Sequence, residues 1–198
     1  MRFLNADEVA DVAGAIDDRY RALVLAAAYT GCRFGELAGL RVRRLDLLRR
    51  SLTIAETLSD VRGQVALAPP KTAAARRQVA LPKFLAEEMA RHLSQWPPGP
   101  DGFVFSAPEG GPLRRTNFRR RTWLPAIRAS VGEPLRFHDL RHTHAAMLIA
   151  QVSTQKSSSF DSGTRRFRSR WTPTDTYSRG RKRTPSTGCG KCWRTDPR

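Results

Sequence analysis

Helical and strand spacings alternate along residues 1–151 and then stop. Asp7–Ile16 carries its apolar positions at helical spacing, with Asn5 placed to cap the first turn and Glu8 near the positive end of the dipole. Arg19–Thr30 is apolar along one face and ends at Gly31, a residue suited to stopping a helix. A second, short helix is predicted over about Arg33–Leu40. Ser51–Thr57 alternates as a strand does, Asp60–Gly63 has turn chemistry, and Gln64–Ala68 reads as the returning strand. Pro69-Pro70 ends that strand, and Gln78–Leu81 is a third. Helices follow over Lys83–Ser94 and Thr116–Val131, the latter bent or interrupted at Pro125. Between them, Trp96–Gly102 is a Pro/Gly loop and Phe103–Phe105 a short strand or buried turn. A last helix begins near Phe137 and runs toward Gln151. The predicted fold is α+β, mainly helical, with a small three-stranded antiparallel sheet.

Past Gln151 the pattern fails. Residues 152–198 contain no Leu, Ile, Met, Ala or Glu, and their net charge is +9. So polar a segment cannot bury enough surface to offset its ordering entropy, and it is predicted to be a disordered basic tail. The division is therefore residues 1–151 as a domain and 152–198 as tail.

Charge narrows the function classes. The whole chain carries +17, which makes a polyanion, nucleic acid first, the expected partner. The longest apolar run, Ala22–Cys32, is broken by Thr30 and flanked by Arg21 and Arg33. It is far short of the roughly 20 residues a membrane span needs. Asp7 and Glu8 stand where an export signal would need an apolar core. Three cysteines do not make a disulfide framework, which fits a reducing cytoplasm.

The chemistry concentrates at His138-Asp139-Leu140-Arg141-His142. His138 and Arg141 are three apart and share a helix face. An arginine fork fits two phosphate oxygens, and a histidine adds a donor or proton carrier near neutrality. Alone the pattern is common by chance, and His142 and His144 read equally well as ordinary helix-surface residues.

Two further stretches change that weighting. Thr30-Gly-Cys-Arg33-Phe-Gly-Glu36-Leu, followed by Ala38-Gly-Leu-Arg41 and Leu45-Asp46, resembles the first arginine box of the tyrosine recombinase (phage integrase) family. Pro70-Lys71-Thr72 with Arg76-Arg77 and Val79-Ala-Leu-Pro82 resembles that family's catalytic-lysine hairpin, and His138–Thr143 its H-x-x-R box. The three boxes come in the family's order and span residues 1–151. The resemblance implies a site-specific DNA recombinase or integrase that cuts and rejoins double-stranded DNA through a 3′-phosphotyrosine intermediate. It implies that Arg33 and Arg141 clamp the non-bridging oxygens, that His138 donates a hydrogen bond or moves a proton, and that Lys71 protonates the departing 5′ oxygen. Glu36 is implied to support Arg33. No metal or other cofactor is implied, and intact members work as tetramers on DNA. Arg114, Arg115, Arg119, Arg120 and Arg121 read as contacts to DNA backbone or solvent.

The resemblance ends where the composition changes. An L-G-H box and a nucleophilic tyrosine about ten residues later are expected past the H-x-x-R helix, and no histidine follows His144. Asp175-Thr176-Tyr177 imitates the tyrosine box. With codons chosen to be compatible with the residues from Gln151 onward, however, restoring one nucleotide after codon 151 allows the other frame to read an L-G-H box and a D-T-Y box in order. Their histidine and tyrosine fall at Thr164 and Thr174. On this reading the tail is out of frame and Tyr177 an accidental neighbour. The expectation is a catalytic domain short at both ends, lacking the separate DNA-binding domain that commonly precedes it, and catalytically inactive. Non-specific DNA binding without chemistry is the alternative. A zinc-dependent DNA-binding protein using Cys189 and Cys192 is another.

Overall fold

A computed structural model describes residues 3–61, 64–68, 76–99, 102–132 and 135–158. Lys71, Thr164, Thr174, Tyr177, Cys189 and Cys192 lie outside the described residues. Helix α1 (Ala6–Ala15) opens on a capping box: the Asn5 side chain accepts from Glu8 N–H, and Glu8 accepts from Asn5 N–H, each at 2.8 Å. Helix α2 (Asp18–Thr30) is apolar nearly all round. Leu23, Val24, Ala26 and Ala28 are fully buried, as a helix packed on several sides requires. It lies against α1, α4 (Lys83–Gln95) and α7 (Asp139–Ser158) and forms the centre of the core. Three hydrogen bonds from Arg19 to Ser106 and Ala107 hold the 106–107 loop against its first turn.

The strands differ from the sequence reading in membership. The antiparallel three-stranded sheet consists of β1 (Leu45–Asp46), β2 (Ser51–Ile54) and β5 (Arg77–Ala80), in the order β1-β2-β5. The predicted strand Ser51–Thr57 breaks after Ile54. There Glu56 turns to pair with Arg41 at 3.2 Å and Arg43 at 3.6 Å. The chain then forms a separate hairpin, β3 (Thr57–Val61) with β4 (Gln64–Ala68). Gly35 and Gly39 of α3 (Phe34–Ala38 and its cap) let this hairpin approach. A Cβ at Gly35 would meet the Leu58 carbonyl oxygen at 2.6 Å, and one at Gly39 the Leu58 nitrogen at 3.0 Å. The hairpin whose far end leads to Lys71 is thus seated directly on α3.

Three more stretches complete the comparison. Phe103–Phe105 takes the second of its two predicted forms, a buried bend with one bridge, Arg41 to Phe103. The predicted helix Thr116–Val131 comes in three pieces: α5 (Arg115–Phe118), a π turn (Arg119–Trp123) and α6 (Leu124–Ser130). Pro125 has no N–H for the preceding turn, and the helix shifts register, with Leu124 N–H bonding back to Arg119. Helix α7 continues through Ser158, past the composition break at Gln151, so residues 152–158 are helical where the tail was expected to begin. Adding residues to an established helix needs no new nucleus. No helix among the described residues is long and apolar enough to cross a membrane.

His92 of α4 gives the fold a pH dependence. It is 2% exposed, its Nε2 bonds the Val104 carbonyl at 2.9 Å, and its Nδ1 is buried without a partner. Burial holds its pKa below the ordinary 6.5, and burial lowers His144 likewise. The unfolded chain therefore binds more protons, so this contribution is complete above the ordinary imidazole range and lost as pH falls through the folded-state values. Urea midpoints are expected to fall between pH 7.5 and about 5.5, above the carboxylate range. The drop should shrink in His92→Gln, whose amide can still donate to Val104. Equal drops in both proteins would refute the assignment.

Candidate functional site

The candidate residues sit at the ends of elements, where side chains can reach outward. Gly31 ends α2 in the left-handed conformation, φ +62°, which favours glycine. Its carbonyl accepts from Arg141 Nη1 at 2.7 Å. A Cβ there would come within 2.7 Å of the His144 ring. The stop of α2 is therefore also the seat of Arg141. Two residues on, Arg33 is the N-cap of α3, whereas the sequence reading began the helix at about Arg33 itself. Its backbone N–H donates to Glu36 Oε2 at 2.8 Å and its Nη1 to Glu36 Oε1 at 3.3 Å. Its side chain remains 57% exposed.

Glu36 is almost fully buried and receives more than Arg33. Arg77 of β5 donates from Nη1 to Oε1 at 3.0 Å and from Nη2 to Oε2 at 2.9 Å, and lies 3.9 Å from Cys32 Sγ. Burial pushes the Glu36 carboxyl upward, but the Arg77 bonds, the Arg33 N–H and the two cations outweigh it and hold it below the usual carboxylate range. Glu36 is thus a charged carboxylate inside the protein.

His138 comes from the turn before α7. Asp139 closes that turn by accepting the Arg136 N–H at 2.9 Å. Thr143, fully buried, donates to the Asp139 carbonyl and accepts the Leu4 N–H at 3.1 Å, tying the N-terminal segment to this helix. Behind His138, Phe137 packs edge-on to Phe34 and Trp123. The His138 and His142 rings meet edge to face at 5.2 Å. Burial first, then the electrostatic influence of His142, Arg141 and Arg33, lowers the His138 pKa, so the neutral imidazole is favoured.

Arg33 and His138 open into one cleft of about 770 Å³. Arg114, Arg115, Arg119 and Arg120 line it on the side of α5 and the π turn, and Thr57–Asp60 of the hairpin on the other. Arg141 does not line the cleft; it stands behind, on the Gly31 carbonyl, and its charge is felt at His138. Such an arrangement can hold more than one phosphate of an extended polyanion between two walls. Among the described residues no group of three His, Cys, Asp or Glu could hold a metal ion. The sequence reading placed Arg77 in the lysine-hairpin box but gave it no role, its partner being 41 positions away, and it left the arginines of α5 and the π turn undivided between DNA backbone and solvent.

The family model of the phage integrase family matches residues 2–157. The chain belongs to the phage integrase family. The integrase of Mycobacterium phage L5 is 30% identical over 159 residues, covering 77% of this chain and 42% of that protein. This integrase-family chain thus spans about 42% of the length of the phage integrases it matches first. Among solved structures, a Tn1549 transposon integrase in complex with transposon right-end DNA superposes with a TM-score of 0.63 at 20% identity, over 76% of this chain and 54% of that one. The catalytic core of λ integrase gives a TM-score of 0.53 at 20% identity, over 80% of this chain and 90% of that one. The fold is that of a tyrosine recombinase catalytic domain.

Proposed function

We propose that residues 1–151 form the phosphate-gripping part of a site-specific DNA recombinase of the tyrosine type, acting on double-stranded DNA. The observation that carries this is the shared cleft: Arg33 and His138 open into it between an arginine-lined wall and the hairpin that leads to Lys71. In strand cleavage by a tyrosine, negative charge builds on the non-bridging oxygens, and donors aimed at that charge supply most of the stabilisation. Arg33 is the fork donor that lines the cleft and Glu36 supports it; Arg141, which stands behind on the Gly31 carbonyl, is assigned as the second clamp from its place in the H-x-x-R box, and neutral His138 can donate one N–H or move a proton. Lys71 is assigned to the leaving 5′ oxygen. The Tn1549 integrase was solved with DNA, which supports duplex DNA as partner. Tetramer formation on paired DNA sites and a cytoplasmic location belong to the same proposal.

This chain is proposed to bind without cutting, because the frame reading leaves it no nucleophile at the expected position. Binding is testable directly. Arg33→Gln and Arg141→Gln should each weaken duplex binding and reduce the salt slope of log K by about 0.9, one phosphate contact each. Fluorescence anisotropy between about 50 and 200 mM salt reads this. Slopes equal to that of the unaltered chain would sink the assignment.

A further inference from the structure

Glu36 raises a charge problem that the proposed clamp has to solve. A buried carboxylate needs a cation, and the nearest along the chain is Arg33, three residues before it, which the site needs for phosphate. If Glu36 paired fully with Arg33, the two would cancel and the cleft would lose a charge. Both oxygens of Glu36 are instead held by the Arg77 fork at 2.9 and 3.0 Å, a bidentate pair. Arg33 contributes only its backbone N–H at 2.8 Å and one longer bond at 3.3 Å. The trio of Arg33, Glu36 and Arg77 carries one net positive charge. The exposed Arg33 guanidinium lines the cleft, whereas Arg77 does not.

We propose that Arg77 is a positioning residue: it saturates Glu36 so that the Arg33 guanidinium stays in the cleft and available to a phosphate. Arg77 also opens β5, the strand that leaves the segment holding Lys71, and β5 pairs with β2. The ion pair therefore fastens the stem of that segment to α3. Without Arg77, Glu36 has one cation left within reach, and Arg33 is drawn back onto it.

The inference rests on the phosphate-binding reading of Arg33, and the two fail differently. If Arg33→Gln leaves DNA binding unchanged, the reading itself fails. If Arg33→Gln weakens binding and Arg77→Met does not, only the positioning role fails. The test uses the full chain and a linear duplex of random sequence, with affinity measured over a salt series. Arg77→Met should lower affinity roughly ten-fold, in line with one charged hydrogen-bonded contact, and match the reduced slope of Arg33→Gln. The double variant Glu36→Gln/Arg77→Met removes the competing carboxylate and should recover most of that loss relative to Arg77→Met alone. Arg33→Gln/Arg77→Met should show no further fall in slope below Arg33→Gln, because the contact is already gone. A merely structural Arg77 would not be rescued by Glu36→Gln. An Arg77 that touched phosphate itself, or acted only through net charge, would add its loss to that of Arg33→Gln. Either result overturns the proposal. Should Arg77→Met fail to fold, the double variant, which leaves no unpaired buried charge, still decides. A slope equal to that of Arg33→Gln overturns the role, and a clearly steeper one supports it.

Discussion

Replacing Trp123 with alanine is expected to cost about 3–5 kcal/mol of folding stability, a large fraction of what a domain of this size has. Trp123 is 1% exposed, and its indole N–H donates to the Leu135 carbonyl at 2.8 Å. Its ring packs against Phe118 and, at 5.2 Å between centroids, against Phe137. Removing it leaves a cavity and an unpaired buried carbonyl together, and the two costs add. The site should feel the loss as well. Phe137 immediately precedes His138, and the π turn that ends at Trp123 carries Arg119 and Arg120. A thermal melt should therefore fall by roughly 6–20 °C. Salt-dependent DNA binding should weaken even below the new midpoint. Trp123→Phe keeps most of the packing and loses one hydrogen bond, about 1 kcal/mol. A melt of Trp123→Ala within a degree or two of the unaltered chain would show that the aromatic cluster does not hold these elements together.

The contrast between what the sequence shows and what it hides follows from range. The start of α1 was legible because its signal is local: Asn5 and Glu8 are three apart and satisfy each other's N–H groups. The end of α2 was legible for the same reason, since only glycine takes the Gly31 conformation comfortably. The three boxes placed Arg33, Glu36, His138 and Arg141, and the fold brings Arg33 and His138 to one cleft. What stayed hidden depends on partners far away in the chain. Ser51–Thr57 alternates well enough for one strand, but Arg41 and Arg43 draw Glu56 aside and split it. The Glu36–Arg77 pair has no period or spacing by which a sequence could announce it. Pro125 signalled an interruption but not its form. The π turn is one of several responses to a missing N–H, and packing of Trp123 in the core favours it.

A nicked suicide duplex is expected to leave no covalent adduct on this chain, whereas the frame-restored chain should form one. The chain has three tyrosines. Tyr20 is 4% exposed in the core against Phe118, and burial raises its phenol pKa. Tyr29 packs edge-on to Phe84 at 4.8 Å. Neither lines the cleft that holds Arg33 and His138. Tyr177 lies outside the described residues and falls three positions after Thr174, where the alternate frame reads its D-T-Y tyrosine. A clamp without its nucleophile keeps its grip on phosphate but loses the covalent step, a deficit on the order of 10⁴-fold or more. On the frame reading, inserting one nucleotide after codon 151 should restore the L-G-H and D-T-Y boxes together, and replacing that restored tyrosine with phenylalanine should abolish the adduct again. Denaturing gels resolve the three proteins on one labelled duplex. An adduct on the unaltered chain, mapped by peptide sequencing to Tyr177, would overturn both the frame reading and the assignment of this chain as a binder that does not cut.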